Sequence, residues 1–113
     1  MTRKTRVELC YVGGCPSMSF ALENAHAALR AEGLASEVIV CRVDSATEAL
    51  DRRLVGSPTI RIDGEDVEGP AADERGYGLA CRVYAGDAGP TGWPSVELIR
   101  AALCRRAIGD TVR

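Results

Sequence analysis

The sequence predicts one α/β domain in which a small mixed sheet is flanked by helices, and three observations lead to this fold class. The chain has 113 residues, which is enough for one hydrophobic core and too few for two. Short apolar segments rich in β-branched residues alternate with segments whose apolar residues recur every three or four positions. The first two strands are separated by a helix, and such a βαβ unit makes them parallel with a right-handed crossover.

The first strand and the helix after it are predicted between residues 6 and 32. A nearly continuous apolar run from Arg6 to Val12 is typical of a central strand covered on both faces, and Gly13-Gly14 ends it. The segment from Ser17 to Glu32 has the spacing of an amphipathic helix, and Pro16 suits its first turn. The apolar side of this helix is formed by Phe20, Leu22, Ala25, Ala28 and Leu29.

A second strand and a short helix follow. The second strand is predicted from Glu37 to Val43, because the segment is rich in β-branched residues. Ser45-Ala-Thr-Glu48 is a capping box, in which the serine hydroxyl accepts a hydrogen bond from a backbone N–H of the first helical turn. The short helix that it opens is predicted to end near Leu54.

The second half of the chain is predicted to form an antiparallel edge of the sheet. Alternation from Thr59 to Asp63 predicts a third strand, and the Asp63-Gly64 pair is a turn signal. The polar stretch from Glu65 to Gly78 is predicted to be a loop that holds a helical turn. A fourth strand is predicted from Cys81 to Tyr84, antiparallel to the third.

The last helix begins at Pro94 and Ser95 and carries Arg105-Arg106 near the negative end of its dipole. The complete order is therefore β-α-β-α-β-β-α. The expected architecture is a four-stranded mixed sheet flanked by three helices, in a single domain whose core spans residues 6 to 106.

Composition excludes several classes of function. The chain has 14 Lys and Arg against 16 Asp and Glu, and its aromatic content is 4%, so no basic surface or stacking platform for nucleic acid is expected. No apolar run approaches the roughly 20 residues that span a bilayer, and the N-terminal residues are too polar for a signal peptide. We therefore expect a cytoplasmic protein without a membrane or nucleic-acid partner.

Five cysteines are the residues best suited to chemistry, and they lie at positions 10, 15, 41, 81 and 104. They form no Cys-x-x-Cys pair, which makes a zinc site improbable. In a cytoplasmic chain with enough apolar residues for a core, such cysteines are more often free, catalytic or metal-binding than paired in structural disulfides.

Cys15 is the most reactive candidate, because it lies where the first strand turns into the first helix. Unpaired N–H groups and the positive end of the helix dipole stabilise a thiolate at such a position. The alternative interpretation is that Cys15 is an ordinary small residue at the start of a helix.

Three segments, together with the element order, resemble the thioredoxin/glutaredoxin superfamily. They are Gly-Cys-Pro-Ser-Met at 14–18, Gly-Ser-Pro-Thr-Ile at 56–60 and Tyr-Gly-Leu-Ala-Cys-Arg-Val-Tyr at 77–84. Within the superfamily, the chain is similar to a group of small bacterial thioredoxin-like proteins. Some members of this group contain selenocysteine, and some have been labelled as alkylmercury lyases.

The resemblance implies a thioredoxin-like fold and roles for residues from two of these segments. Cys15 would be the thiol that attacks disulfides, and Pro58 would be a cis-proline facing it. The backbone of Ser57 would hold an extended peptide or glutathione, and Pro16 and Thr59 would complete the substrate-binding residues. The implied partner is a protein or a low-molecular-weight thiol or disulfide, and no cofactor is implied.

Met18 departs from the superfamily pattern, because a dithiol enzyme has its second cysteine at this position. Three consequences are open: Cys15 acts as a monothiol, another cysteine resolves the mixed disulfide, or redox activity is lost. Cys10 is one substitute, provided that its Cα lies within about 7 Å of that of Cys15. Cys81 is the other, although the fold places it far from Pro58 unless the 65–78 loop folds back.

Both substitutes have a structural alternative. Cys10 is expected to point into the core from a central strand, and Cys81 to be a buried strand cysteine. Cys41 and Cys104 are interpreted as small core residues.

The remaining polar residues have weaker signals. His26 lies on the first helix, too far along its axis to pair with Cys15. Trp93 is expected to pack at the start of the last helix. The acidic residues between the helices and strands are interpreted as solvated charges; they are Asp44, Asp51, Glu65, Asp66 and Glu68.

Three functions follow from these residues. The leading hypothesis is thiol–disulfide redox chemistry at Cys15. The second is a soft-metal or organomercurial thiol site built from Cys15 with Cys10 or Cys81, and with Met18 as a thioether neighbour. The third is a non-catalytic interaction module, a homodimer that uses the apolar surface near residues 56–58.

Overall fold

The computed structural model of the chain describes residues 5–86 and 88–112, and for 107–112 the backbone alone. The strands are β1 (Val7–Val12), β2 (Val38–Val43), β3 (Thr59–Ile62) and β4 (Glu65–Asp66). The α-helices are α1 (Met18–Ala31), α2 (Ala46–Asp51) and α3 (Val96–Val112), and a 3-10 helix spans Pro70–Arg75. The predicted α/β class and the four-stranded mixed sheet are confirmed, and the order of elements agrees with the prediction except for the position of the fourth strand.

The four strands form one mixed sheet in the order β2-β1-β3-β4. β1 is parallel to β2 and antiparallel to β3, so the predicted parallel βαβ unit is confirmed. In the register of the sheet, Cys10 lies between Cys41 of β2 and Thr59 of β3. The central position of β1 brings its carboxyl end, at Val12, beside the chain that enters β3.

Two hydrophobic clusters lie on the two faces of the sheet. On one face, α1 and α3 pack together against β1 and β3, and the buried residues include Leu9, Ala25, Ile60 and Ile99. On the other face, the short α2 contributes to a smaller cluster made of Cys10, Val43, Ala49 and Leu54. Because β1 supplies residues to both clusters, its nearly continuous apolar sequence is explained.

The buried side of α1 differs from the prediction near its start. Ala25, Ala28 and Leu29 are buried as predicted, but Phe20 is 48% exposed and Ala21 is buried instead. The helix begins at Met18, after a turn in which the Met18 N–H donates to the Cys15 carbonyl at 3.4 Å. Pro16 therefore lies in the turn before α1 rather than in its first helical turn.

The capping box of α2 is confirmed. The Ser45 hydroxyl accepts a hydrogen bond from the Glu48 N–H at 3.1 Å. The helix ends at Asp51, earlier than the predicted end near Leu54.

The predicted fourth strand is wrong in position. β4 is the two-residue segment directly after the Asp63-Gly64 turn, and it pairs with Arg61 and Ile62. Residues 81–84 form only isolated bridges, a parallel one from Cys81 to Ser57 and an antiparallel one from Tyr84 to Thr91. The turn at Asp63-Gly64 places β4 beside the last residues of β3. Residues 81–84 therefore reach only the chain that leads into β3.

No helix in the described part of the chain is long and apolar enough to cross a bilayer.

Candidate functional site

A small cleft lies where β1 ends and the chain enters β3. Its volume is about 190 Å³. The residues that line it are Val12, Gly13, Gly14, Cys15, Pro16, Ser57, Leu79 and Cys81. Four of the predicted site residues are thus brought together, and two of them are cysteines.

Cys15 is positioned by the turn between β1 and α1. Its N–H donates to the Val12 carbonyl at 3.0 Å, and Gly14 makes the turn with a φ of +83°, which favours glycine. The Cys15 side chain is half-buried and belongs to the wall of the cleft. This geometry leaves the thiol accessible from the cleft while its backbone is fixed.

Ser57 joins the entry of β3 to the end of β1. Its hydroxyl accepts a hydrogen bond from the Val12 N–H at 2.9 Å. The peptide bond between Ser57 and Pro58 is cis, the conformation that the resemblance implies. Ser57 is itself buried, so only a small part of it faces the cleft.

The backbone of Ser57 is already paired with another part of the same chain. The Ser57 N–H donates to the Ala80 carbonyl at 2.9 Å, and the Ser57 carbonyl accepts from the Arg82 N–H at 3.0 Å. We call residues 79–84 the return segment. The loop before it has folded back, which brings Cys81 to the cis-proline rather than far from it.

Arg82 anchors the return segment in the interior. Its guanidinium donates two hydrogen bonds of 2.7 Å to the Asp66 carboxylate, one of 2.7 Å to Glu68 and one of 3.1 Å to the Thr59 hydroxyl. Burial opposes the charged form, but the bonds to the two carboxylates outweigh it and raise the pKa of Arg82. Asp66 is buried and Glu68 largely so, and the prediction that both are solvated charges is therefore wrong.

Gly56 allows the return segment to come close. A Cβ atom at this position would lie 3.0 Å from the Arg82 Cβ, and the φ of Gly56 is +127°. A larger residue would therefore meet both steric contact and backbone strain.

Tyr84 holds the other end of the return segment. Its hydroxyl donates to the Pro58 carbonyl, and its ring lies 4.6 Å from the Arg82 guanidinium carbon. Pro58 and Thr59 are buried under these contacts and do not line the cleft. These two predicted substrate-binding residues thus bind the return segment in this structure.

Cys81 faces the opposite way from Arg82. Side chains alternate along an extended segment, so the inward position of Arg82 turns its neighbour outward. Cys81 is exposed and lines the cleft with Cys15. The prediction of a buried strand cysteine is therefore wrong for Cys81.

Cys10 lies in the interior and not in the cleft. It is 3% exposed and packs with the small cluster under α2. Burial, and next the neighbouring Cys41 thiol, raise the pKa of Cys10 to about 11. The expectation that Cys10 points into the core is confirmed.

The two remaining cysteines lie away from the cleft. Cys41 is half-buried on β2, directly beside Cys10. Cys104 is exposed on α3, where its thiol donates to a Glu32 carboxylate oxygen at 3.3 Å, and this hydrogen bond raises the pKa of Cys104. The prediction of a core position is wrong for Cys104.

Met18 and His26 do not contribute to the site. Met18 packs against the larger core and does not line the cleft. His26 is an exposed residue of α1. Among residues 5–86 and 88–106, no group of three or more His, Cys, Asp or Glu side chains is arranged to hold a metal ion.

Trp93 braces the helix that follows Cys15. Its ring stacks on Phe20 with the centroids 4.5 Å apart, and the Asn24 side-chain amide donates to the Pro94 carbonyl at 2.9 Å. Trp93 thus has the predicted packing role, and the helix that it packs against is α1.

The apolar surface predicted near residues 56–58 is covered. Gly56, Ser57 and Pro58 are all buried, with the return segment bridged to Ser57. A larger cleft of about 470 Å³ near the β3–β4 turn is lined mainly by charged residues, including Arg53, Glu65 and Arg106. Ion pairs join several of these charges, and the lining contains no cysteine.

Sequence reasoning missed the pair formed by Asp66 and Arg82. The available signal was an arginine between apolar residues in a strand-like segment, since arginine is rarely buried without a partner. The partner was not identifiable, because acidic residues occur throughout the preceding loop.

Comparisons of the chain with protein-family models, with curated proteins and with solved structures find no match.

Proposed function

We propose that this chain is a thioredoxin-like thiol–disulfide redox protein in which Cys15 is the nucleophile and Cys81 the resolving thiol. The observation that carries the proposal is that both side chains line one small cleft. Cys15 lies in the turn between β1 and α1, and Cys81 is exposed on a segment whose backbone is fixed by Ser57. Two accessible thiols at one cleft have the arrangement that disulfide exchange requires.

The exchange proceeds in two steps. The Cys15 thiolate attacks one sulfur of a disulfide, a new S–S bond forms, and the other sulfur leaves as a thiolate that takes up a proton. The Cys81 thiolate then attacks the Cys15 sulfur and displaces the second substrate thiol. The substrate gains two electrons and becomes two thiols, while the protein becomes a Cys15–Cys81 disulfide. Two molecules of a low-molecular-weight thiol then reduce the Cys15–Cys81 disulfide and are themselves oxidised to a disulfide.

Cys81 fits the resolving role better than Cys10. Cys10 is a buried residue of β1, and its raised pKa keeps it as the neutral thiol at physiological pH. The soft-metal alternative has less support, because Met18 packs against the core and does not line the cleft.

The thioredoxin-like assignment is supported by three features of the fold. The strand order is β2-β1-β3-β4, in which β1 and β2 are parallel and the β1–β3 and β3–β4 pairs are antiparallel. A cis X-Pro bond precedes β3, and a cysteine follows β1. These features agree with the motifs at 14–18 and 56–60.

The test is to oxidise the reduced protein with one equivalent of 2-hydroxyethyl disulfide and to map disulfides by mass spectrometry of unreduced peptides. We expect a Cys15–Cys81 disulfide. In the Cys81→Ser variant we expect Cys15 to retain a mixed disulfide with 2-mercaptoethanol.

The matched control is Cys104→Ser, which removes an exposed thiol outside the cleft and should leave the Cys15–Cys81 disulfide intact. A Cys15–Cys10 disulfide in the wild type would assign the resolving role to Cys10. A Cys15 that stays reduced under these conditions would contradict the proposed function itself.

A further inference from the structure

We infer that the substrate of this cleft is a small, uncharged disulfide and not an extended peptide. The inference rests on the proposed function, because it names the substrate class of the same pair of thiols. It is carried by the hydrogen bonds of the strand edges beside Cys15 and by the size and lining of the cleft.

An extended peptide is held by adding itself to a strand whose backbone groups are unpaired. Beside the cleft, the groups of Ser57 that face outward are bonded to Ala80 and Arg82. Further along the same edge of β3, the Ile60 carbonyl accepts from the Val67 N–H, and the last two residues pair with β4. The outer edge of β3 is thus filled by the chain itself.

The end of β1 provides no edge either. The Val12 N–H donates to the Ser57 hydroxyl, and the Val12 carbonyl accepts from the Cys15 N–H. β1 pairs with β2 from Val7 to Val12 and with β3 from Val7 to Cys10, and beyond Cys10 the Ser57 hydroxyl accepts from the Val12 N–H. The outer edge of β2 belongs to the far side of the sheet, and no residue of β2 lines the cleft.

The return segment is not easily displaced by a competing peptide. Moving it would separate the Arg82 guanidinium from Asp66, and both side chains are almost inaccessible to solvent. Removing one partner of a buried ion pair leaves an uncompensated charge in the interior. The Tyr84 hydrogen bond to the Pro58 carbonyl would also be broken.

The cleft itself is small and uncharged. Its volume of about 190 Å³ is below the range of roughly 300–1,000 Å³ that is typical of ligand pockets. Among the residues that the structure describes, no charged side chain lines the cleft, and the side-chain contacts come from Val12, Pro16 and Leu79 beside the two thiols. The nearby Arg42 guanidinium approaches Gly13 but is already paired with Asp44 at 2.8 Å. A substrate group with a charge would lose its hydration here without gaining a partner.

The test uses three mixed disulfides that share one leaving group. In each probe, a 2-pyridyl disulfide activates a different thiol: ethanethiol, 3-mercaptopropionate, or the central cysteine of a capped, uncharged nonapeptide. Cys15 attacks the alkyl sulfur and forms a disulfide with it, and the S–S bond electrons leave on pyridine-2-thione, whose absorbance is followed. The protein is the full chain with Cys81→Ser, so that the adduct stays on Cys15 and is located by peptide mapping.

Each rate is divided by the rate of N-acetylcysteine amide with the same probe, which removes differences in intrinsic reactivity. We expect the nonapeptide to react with Cys15 about tenfold or more slowly than the ethyl probe, because it has no strand edge to bind. The carboxylate probe should also be slower than the ethyl probe. A nonapeptide that reacts as fast as the ethyl probe, or faster, would overturn the inference.

Failure of the proposed function gives a different result. In that case Cys15 reacts with the ethyl probe no faster than the model thiol does, and the inference falls with it. Hydrogen exchange provides a readout that does not depend on thiol chemistry. We expect the Ser57 and Arg82 amides to be protected in the reduced protein, and exchange at the unprotected rate would show an open edge and overturn the inference.

Discussion

Cys10 and Cys15 are close in sequence, but their surroundings give the two thiols different chemistry. Cys10 is enclosed between β2 and β3, whereas Cys15 lies in the turn that follows β1 and faces a cleft. Burial disfavours the thiolate of Cys10. Position relative to the end of the strand therefore separates a buried thiol from one that lines a cleft.

This difference predicts a pH dependence of stability. The ordinary pKa of the Cys10 thiol is 9.0, and in the folded chain it is raised to about 11. Between these values the unfolded chain releases the proton and the folded chain keeps it, so the free energy of unfolding falls as the pH rises. The decrease is at most about 1.4 kcal/mol per pH unit.

Urea denaturation of wild type and Cys10→Ala between pH 8 and pH 11 measures this contribution. We expect the variant to lose stability less steeply with pH, whatever its absolute stability. Burial also raises the pKa of Tyr84, but that contribution is common to both proteins and cancels. Equal slopes would contradict the role assigned to Cys10.

At the residue scale, the sequence singled out Cys15 as the candidate nucleophile but left the resolving cysteine open. Cys15 was identified because a cysteine between a strand and a helix has a known electrostatic environment. Cys81 was left open, because its exposure depends on Arg82 turning inward toward Asp66. That contact joins residues far apart in the chain, and local periodicity contains no information about it.

The return segment is the element on which the site depends most. Its backbone pairs with Ser57 at one end and with Thr91 at the other, and its interior anchor is the ion pair of Arg82 with Asp66. An element with so few backbone bonds depends on its side-chain contacts. Removal of the anchor should therefore have a large effect.

Asp66→Asn tests the anchor. The variant loses the Asp66 charge, and only Glu68 then compensates the buried Arg82 guanidinium. We expect the free energy of unfolding to fall, with about 3–5 kcal/mol as the upper range for breaking such a buried pair. The matched control is Asp44→Asn, which breaks the exposed pair with Arg42 and should cost about 0–1 kcal/mol. Chemical denaturation measures both, and equal losses would contradict a structural role for Asp66.

The return segment was predicted to contain a fourth strand, and the reason for this error lies in the sheet. Cys81 to Tyr84 has the alternation of a strand, and its side chains do alternate between the surface and the interior. The strand assignment failed because β3 is short and the turn at Asp63-Gly64 gives its outer edge to β4 first. Competition between two segments for one edge is a property of the sheet and cannot be read from either segment.

At the scale of the whole molecule, the proposed disulfide would join the start of α1 to the return segment. It would close a loop containing the second strand, α2 and most of the remaining sheet. Closing a long loop lowers the conformational entropy of the unfolded chain.

The oxidised protein should consequently be more stable than the reduced protein. For a loop of this length the chain-entropy model gives a gain of about 4 kcal/mol, or less where the native structure is strained. Thermal and urea unfolding of the protein oxidised as above, against protein kept in a thiol reductant, measures the difference. Cys81→Ser should show no such gain, and a less stable oxidised wild type would contradict the proposed pairing.

The overall order of elements was predictable, because each of the long elements carries its own local signal. The first strand has its apolar run, α2 has the Ser45 capping box, and the last helix has its periodicity. The hydrogen bonds that build the site could not be predicted, since they connect segments separated by tens of residues. The cleft is therefore a property of the folded chain as a whole.

The contact between Ser57 and the return segment also bears on solubility. A sheet edge with unpaired N–H and carbonyl groups is a template on which a second chain can assemble. β4 is too short to cover the whole outer edge of β3, and the return segment covers the part beside Ser57. The bonds that hold Cys81 in position thus also cover this edge against pairing with neighbouring molecules, so one piece of chain would maintain both the proposed redox site and protection against aggregation.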